Sequence, residues 1–212
     1  MVATSNGGKL REFAHLLCDP AITAGRNFDV RSLADMEDVE LPPEGDDYET
    51  NAVAKARTAA VALRFPALAD DSGLEVTGLG GAPGALSARY GGAGLDDAGR
   101  VRHLLAELEK SGARDRSARF VCVAALALPD GRVTVAHGFC RGRIAAAPVG
   151  AGGFGYDPVF EVAAAGVEPG TTMAELPADS KHALSHRGAA LRALAPAFAR
   201  LLSDQPSAAK RS

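Results

Sequence analysis

The chain has 212 residues, 47% hydrophobic and 23% charged, with a formal net charge of −3. That length suits one domain, or one domain with two lobes around a cleft. The charge excludes a general drive toward nucleic acid, whose binding rests on Lys and Arg neutralising phosphates, but leaves room for a local basic pocket and a small anionic substrate.

In chain order, Val2-Ala3-Thr4 reads as the end of a short strand, followed by a turn at Asn6-Gly7-Gly8. Leu10, Phe13, Leu16 and Leu17 then recur at helical spacing. Phe28 to Leu33 reads as a second strand, and the acidic stretch Glu37 to Asp47, with Pro42-Pro43 and Gly45, as a loop. An Ala-rich helix is expected over Tyr48 to Arg64, then a short strand from Ala67 to Asp71 ending in charge. The glycines and proline between Gly78 and Gly84 predict an irregular loop.

Asp96 to Glu109 carries Val101, Leu104, Leu105 and Leu108 on one side of a helix. Phe120 to Leu128 and Val133 to Phe139 form a hairpin around Pro129-Asp130-Gly131, with Ile144 to Ala147 as a candidate third strand. After a glycine loop at Gly150 to Gly155, Leu191, Leu194, Phe198 and Leu201 define a last helix, which Pro196 should kink or restart. Residues 204–212 read as a polar, frayed tail. A crossover pattern beside a hairpin implies a mixed sheet with helices packed on it.

No apolar signal core follows Met1 and no run approaches bilayer-spanning length. Cys18, Cys122 and Cys140 match no zinc spacing and read as free thiols in a reducing, cytoplasmic setting.

Four segments could carry chemistry. Asp70-Asp71-Ser72-Gly73 places adjacent acids on opposite faces of a strand, so one can enter a cleft and hold Mg²⁺, which favours one or two carboxylates plus substrate phosphates. An acidic turn with a serine cap is the competing reading. Thr4-Ser5-Asn6-Gly7-Gly8-Lys9 opens a helix with exposed amides and a lysine, a geometry suited to phosphate, although a plain strand–helix turn fits equally well.

Gly150 to Gly155 contains a formal G-x-G-x-x-G, but Pro158 argues against a dinucleotide-binding helix there. Phe154 and Tyr156 beside it could stack on a base or simply face the core. Lys181 precedes Ser185-His186-Arg187, where Ser185 is an N-cap candidate and two basic groups fall in a first helical turn. The helix dipole disfavours cations there, which hints at an anionic ligand; a solvated basic turn is the alternative.

The ordered set of these motifs resembles the inosine/xanthosine triphosphate pyrophosphatase family. It includes Asn51 to Arg57, Ala69 to Leu74, Leu79 to Gly84, Ser87 to Tyr90, Gly152 to Pro158, Ala174 to Leu176 and Ser185 to Gly188. The resemblance implies an α/β fold, two-lobed, with a long curved mixed β-sheet flanked by helices. It implies one catalytic domain over residues 1–203 with a central cleft, and a homodimer.

It also implies Mg²⁺-dependent hydrolysis of purine nucleoside triphosphates to the monophosphate and pyrophosphate. By position, Asp71 would be proton acceptor and metal ligand, with Glu44 the candidate second ligand. Thr4, Ser5, Asn6, Gly7, Gly8 and Lys9 would hold the triphosphate, and Ser72 would touch substrate. Phe154, Gly155, Tyr156, Asp157, Lys181, His186 and Arg187 would form the base and sugar pocket.

Ser5 stands where the family usually has Gly, and the first strand lacks the usual apolar residues, leaving either a start upstream of Met1 or a truly short strand. Two other functions stay open: a Maf-like pyrophosphatase for modified pyrimidine nucleotides, and a non-catalytic nucleotide sensor.

Overall fold

The computed structural model describes residues 1–4, 6–23, 25, 30–32, 39–92 and 94–203, the last three by backbone alone. Ser5, half of the expected strand Phe28 to Leu33 (residues 28, 29 and 33), and the tail 204–212 lie outside these residues.

Five strands, β1 (Ala67–Val76), β2 (Pro83–Gly84), β3 (Ser117–Ala127), β4 (Val133–Ile144) and β5 (Phe160–Val162), form one sheet in the order β2-β1-β3-β4-β5. Every pairing among them is antiparallel. Among the described residues, parallel pairing is confined to isolated bridges from Val2 to Ser32 and to Leu68, so the short first strand is there a single bridge residue. Among the described residues no helix is long and apolar enough to cross a membrane.

The helices are α1 (Gly7–Leu16), α2 (Pro20–Thr23), α3 (Tyr48–Leu63), α4 (Asp97–Lys110), α5 (Ala178–Leu184) and α6 (His186–Ser203). Asp47 caps α3 by accepting from Thr50 N at 2.8 Å, and Asp96 caps α4 by accepting from Gly99 N at 2.7 Å.

Strand alternation sorts the core into two faces. Leu68, Cys122, Ala124 and Leu126 pack with Phe13 and Leu16 of α1 and Leu191, Leu194 and Phe198 of α6. Ala67, Ala69, Val123, Ala125 and Ala127 pack with Ala52, Ala56, Ala59 and Ala60 of α3. Small residues on both sides of this second interface let α3 lie close to the sheet. A third cluster joins Leu74, Val76, Phe120 and Ile144 to Val101, Leu104 and Leu108 of α4.

Three expectations need correction. β1 does not end at Asp71 but continues to Val76, with Ser72, Gly73 and Leu74 paired to Cys122, Val121 and Phe120. Gly73 permits this, because a Cβ there would lie 2.0 Å from the Gly84 carbonyl oxygen of β2. Ile144 closes β4 rather than opening a further strand.

α6 also runs on through Pro196 rather than restarting. The proline and Arg192, whose carbonyl its ring leaves without a donor, are both exposed, while Leu191, Leu194 and Phe198 anchor the buried side. Gly73→Ala should lower unfolding free energy by at least about 2 kcal/mol through overpacking, read from a denaturant midpoint; an unchanged midpoint would show that β2 yields freely.

Candidate functional site

Alternation along β1 sends its two acids to different faces, and each meets a different set of cations. Asp70 lies on the α1/α6 face, 2% exposed. Its Oδ2 accepts from Lys9 Nζ at 3.0 Å, from Arg187 Nε at 3.3 Å, and from the Ser72 hydroxyl. Burial alone would raise its pKa, but Lys9, Arg187 and Lys55 hold the carboxyl well below the usual range.

Asp71 lies on the α3 face. Its Oδ2 accepts from Asn51 Nδ2 at 2.8 Å, and its Oδ1 lies 3.6 Å from Lys55 Nζ. Burial raises its pKa above the ordinary carboxylate value, with Asn51, Lys55 and Lys9 opposing incompletely. Lys55 Nζ also donates to Glu44 Oε1, so Glu44 and Asp71 converge on one ammonium.

α1 brings a second group. Asn6 caps it, Oδ1 accepting from Lys9 N at 3.0 Å, and Thr4 Oγ1 accepts from Asn6 N at 3.1 Å. Gly7 and Gly8 open the helix, where amides have no intrahelical acceptor. One turn on, Glu12 is buried: Oε2 accepts from Arg187 Nη1 at 2.7 Å and Oε1 from Lys181 Nζ at 2.8 Å. Burial would raise its pKa, but Arg187 and Lys181 bring it down to about 2.

α6 starts on the sheet itself, since a Cβ on Gly138 would stand 2.0 Å from the His186 carbonyl oxygen. Ser185 Oγ accepts from Gly188 N at 3.0 Å, the N-cap the sequence suggests. Arg187 in this first turn offsets the unfavourable dipole through Asp70 and Glu12. His186 stacks on Phe120, with ring centroids 4.8 Å apart, and burial drives its pKa well below the ordinary value, so it is neutral. Its Nδ1 and Asp70 Oδ1 are buried polar atoms without a hydrogen-bond partner.

Lys181, in the last turn of α5, joins Glu12 to Asp157, donating to Asp157 Oδ2 at 2.6 Å. Asp157 also accepts from Phe154 N at 2.9 Å. Burial raises the Asp157 pKa despite Lys181. The Phe154 ring lies 5.3 Å from Lys181 Nζ and 5.4 Å from Arg187 Cζ, within cation–π reach, and against Gly8. A cavity of about 420 Å³ opens here, lined by Gly8, Arg11, Glu12, Gly153, Phe154 and Lys181 among others. A larger cleft of about 610 Å³ over Glu75, Arg119 and Arg141 contains none of these acids or lysines.

The structure therefore gathers Asn6, Gly7, Gly8, Lys9, Glu44, Asp71, Phe154, Asp157, Lys181 and Arg187 into one connected region. It does not bring Tyr156 to the cavity: the ring belongs to the α4 core cluster and its hydroxyl donates to Ser87 O at 2.9 Å. Gly155 instead donates its amide to Asp97 Oδ2 at 2.7 Å. Ser72 faces Asp70 rather than open space, and Ser5 lies outside the described residues. The sequence assigns no role to Glu12, and none to Asn51 and Lys55 beyond their place in the motif Asn51 to Arg57. A signal for the last two existed, since Asn51 and Lys55 fall on the same helical stripe as Ala52, Ala56 and Ala59, where a polar residue must find a buried partner.

Glu12→Gln should cost about 3 kcal/mol at neutral pH, because Arg187 and Lys181 lose a buried partner. Its folded pKa of about 2 lies below the unfolded 4.5. The stabilisation is therefore complete above pH 4.5 and is lost as pH falls through about 2. Denaturation midpoints of wild type and variant should converge over that window; a pH-independent gap contradicts a charged Glu12.

These features define an α/β protein whose buried charged side chains, Glu12, Lys55, Asp70, Asp71, Asp157, Lys181 and Arg187, gather where β1 meets the surrounding helices. The chain belongs to the Ham1 family, whose model matches residues 1–197. It is 45% identical over 195 residues to the dITP/XTP pyrophosphatase of Geobacillus kaustophilus (strain HTA426), covering 92% of this chain and 91% of that one. The dITP/XTP pyrophosphatase of Geobacter sulfurreducens is 47% identical over 195 residues, with 92% and 93% covered. Among solved structures, the HAM1 protein of Coxiella burnetii aligns with a TM-score of 0.76 at 38% identity, covering 94% of this chain and 97% of that one.

Proposed function

We propose that the chain is a pyrophosphatase that hydrolyses non-standard purine nucleoside triphosphates (ITP, dITP and XTP) to the monophosphate and pyrophosphate, clearing them from the nucleotide pool. The observation that carries this reading is the junction at Lys9: a glycine-opened helix terminus delivers a lysine within 3.0 Å of the Asp70-Asp71 strand. The charge of Lys9 also acts on Asp71 and Glu44, so phosphate-binding amides and a candidate general base stand near one lysine. Similarity to relatives named dITP/XTP pyrophosphatase favours purine over modified pyrimidine substrates.

The donor set fits Mg²⁺. Asp71 and Glu44 offer hard oxygens that already converge on the Lys55 cation. An ion held by these two carboxylates would complete its shell with water and substrate phosphates. Bound there, Mg²⁺ would neutralise phosphate charge.

In this reading Asp71 takes a proton from the water that attacks the α-phosphorus. Asn51 keeps its carboxyl oriented. Lys9, Lys181 and the amides of Gly7 and Gly8 stabilise charge on the departing pyrophosphate. Asn6 fixes that turn, with Thr4 behind it. Phe154 stacks on the purine, while Asp157, Lys181, neutral His186 and Arg187 supply polar contacts, since apolar fit alone discriminates weakly between near-isosteric rings.

Residues 1–203 act as one catalytic domain, working as a homodimer in the cytoplasm, where the free thiols of Cys18, Cys122 and Cys140 suit reducing conditions. Pyrophosphate release from ITP, dITP and XTP, set against methylated pyrimidine triphosphates, tests the substrate class. Preference for the pyrimidines would replace this reading with the Maf-like one, and calorimetric binding without turnover would replace it with a sensor.

A further inference from the structure

The backbone around Glu44 has no helix or strand to hold it: residues 39–45 carry neither. Side chains from two other elements do so instead. Asn51 of α3 grips the adjacent residue twice, its Oδ1 accepting from Gly45 N at 2.8 Å and its Nδ2 donating to Gly45 O at 3.1 Å. The same Nδ2 donates to Asp71 Oδ2. From the turn after β2, Arg89 Nη2 donates to Glu44 O at 2.9 Å and Gly45 O at 3.3 Å. The Glu44-Gly45 segment is thus tied to Asp71 through Asn51 and to the β2 side of the sheet through Arg89.

We infer that Arg89 is a positioning residue for the cation site, fixing with Asn51 the Glu44-Gly45 segment so that the Glu44 and Asp71 carboxylates face one point. This rests on the reading in which those two acids take a divalent cation. Without the clamp, binding must also order an irregular segment and a long side chain, which opposes affinity. Asn51 occupies Asp71 Oδ2 and leaves Oδ1 toward Lys55 and Glu44, so one amide sets both the ligand oxygen and the neighbouring segment.

Charge and geometry make opposite predictions for Arg89. If it acted only through its charge, neutralising it would tighten cation binding. If it positions Glu44, removing its donors weakens binding. Arg89 is exposed, so substitution should leave the fold intact.

The test titrates Mn²⁺ alone into the full chain, following free ion by electron paramagnetic resonance, for wild type, Arg89→Met, Arg89→Lys and Asp71→Asn. Arg89→Met should raise Kd about 10-fold, with its thermal midpoint unchanged and kcat recovering at saturating Mg²⁺. Arg89→Lys, which keeps a donor, should stay nearer wild type, and Asp71→Asn should bind poorly. Equal or tighter binding by Arg89→Met overturns the positioning role alone. No binding by wild type overturns the cation site itself, and with it this inference.

Discussion

Asp71→Asn is expected to lower kcat by about 10³-fold or more while the protein stays folded. The substitution removes the proton acceptor but keeps an oxygen that can still accept from Asn51, whose bond to Oδ2 is 2.8 Å long. Lys55 loses a carboxylate at 3.6 Å and retains its closer partner, Glu44. The denaturation midpoint should therefore move little while turnover collapses. Single-turnover rates on inosine triphosphate, read beside a thermal melt, separate the two effects. Near-wild-type turnover would remove Asp71 from the mechanism.

The largest stability effect is expected at Arg187. The residue is 5% exposed, and its guanidinium pairs with Asp70 and Glu12 at once. Arg187→Met leaves Asp70, on the α1/α6 face, with Lys9 and the Ser72 hydroxyl, and Glu12 with Lys181 alone. Breaking a buried ionic network from one side typically costs about 3–5 kcal/mol, and the midpoint of a chain this size should fall by roughly 10 °C. Activity should drop as well, since Arg187 also lies over the Phe154 ring. A melt within about 2 °C of wild type would show that Asp70 and Glu12 need no third partner.

The same residues show what could be read from sequence. Helix α3 was legible from its run of alanines, and α4 from Val101, Leu104, Leu105 and Leu108 at helical spacing. The hairpin of β3 and β4 was legible because Pro129-Asp130-Gly131 separates two apolar runs. β1 looked shorter than it is: Ser72-Gly73 reads as a turn, and only the approach of β2 explains a glycine inside a strand.

The candidate site was legible at Lys9, where a lysine follows a glycine-opened helix start, and at Arg187, where charge breaks a local rule. It was not legible where a residue acts through a distant partner. Glu12 lies among the apolar positions of α1 with no local cue, and its partners are 169 and 175 residues along the chain in numbering, at Lys181 and Arg187. Tyr156 shows the converse. An aromatic in a glycine loop suggests a ligand, yet this one fills the core and anchors Ser87.

The central claim concerns which phosphate bond breaks. Purified protein incubated with inosine, deoxyinosine and xanthosine triphosphates, with Mg²⁺ and separately with a chelator, should release pyrophosphate and the monophosphate, and only with the metal. Orthophosphate as the primary product, from any of the three, would contradict it.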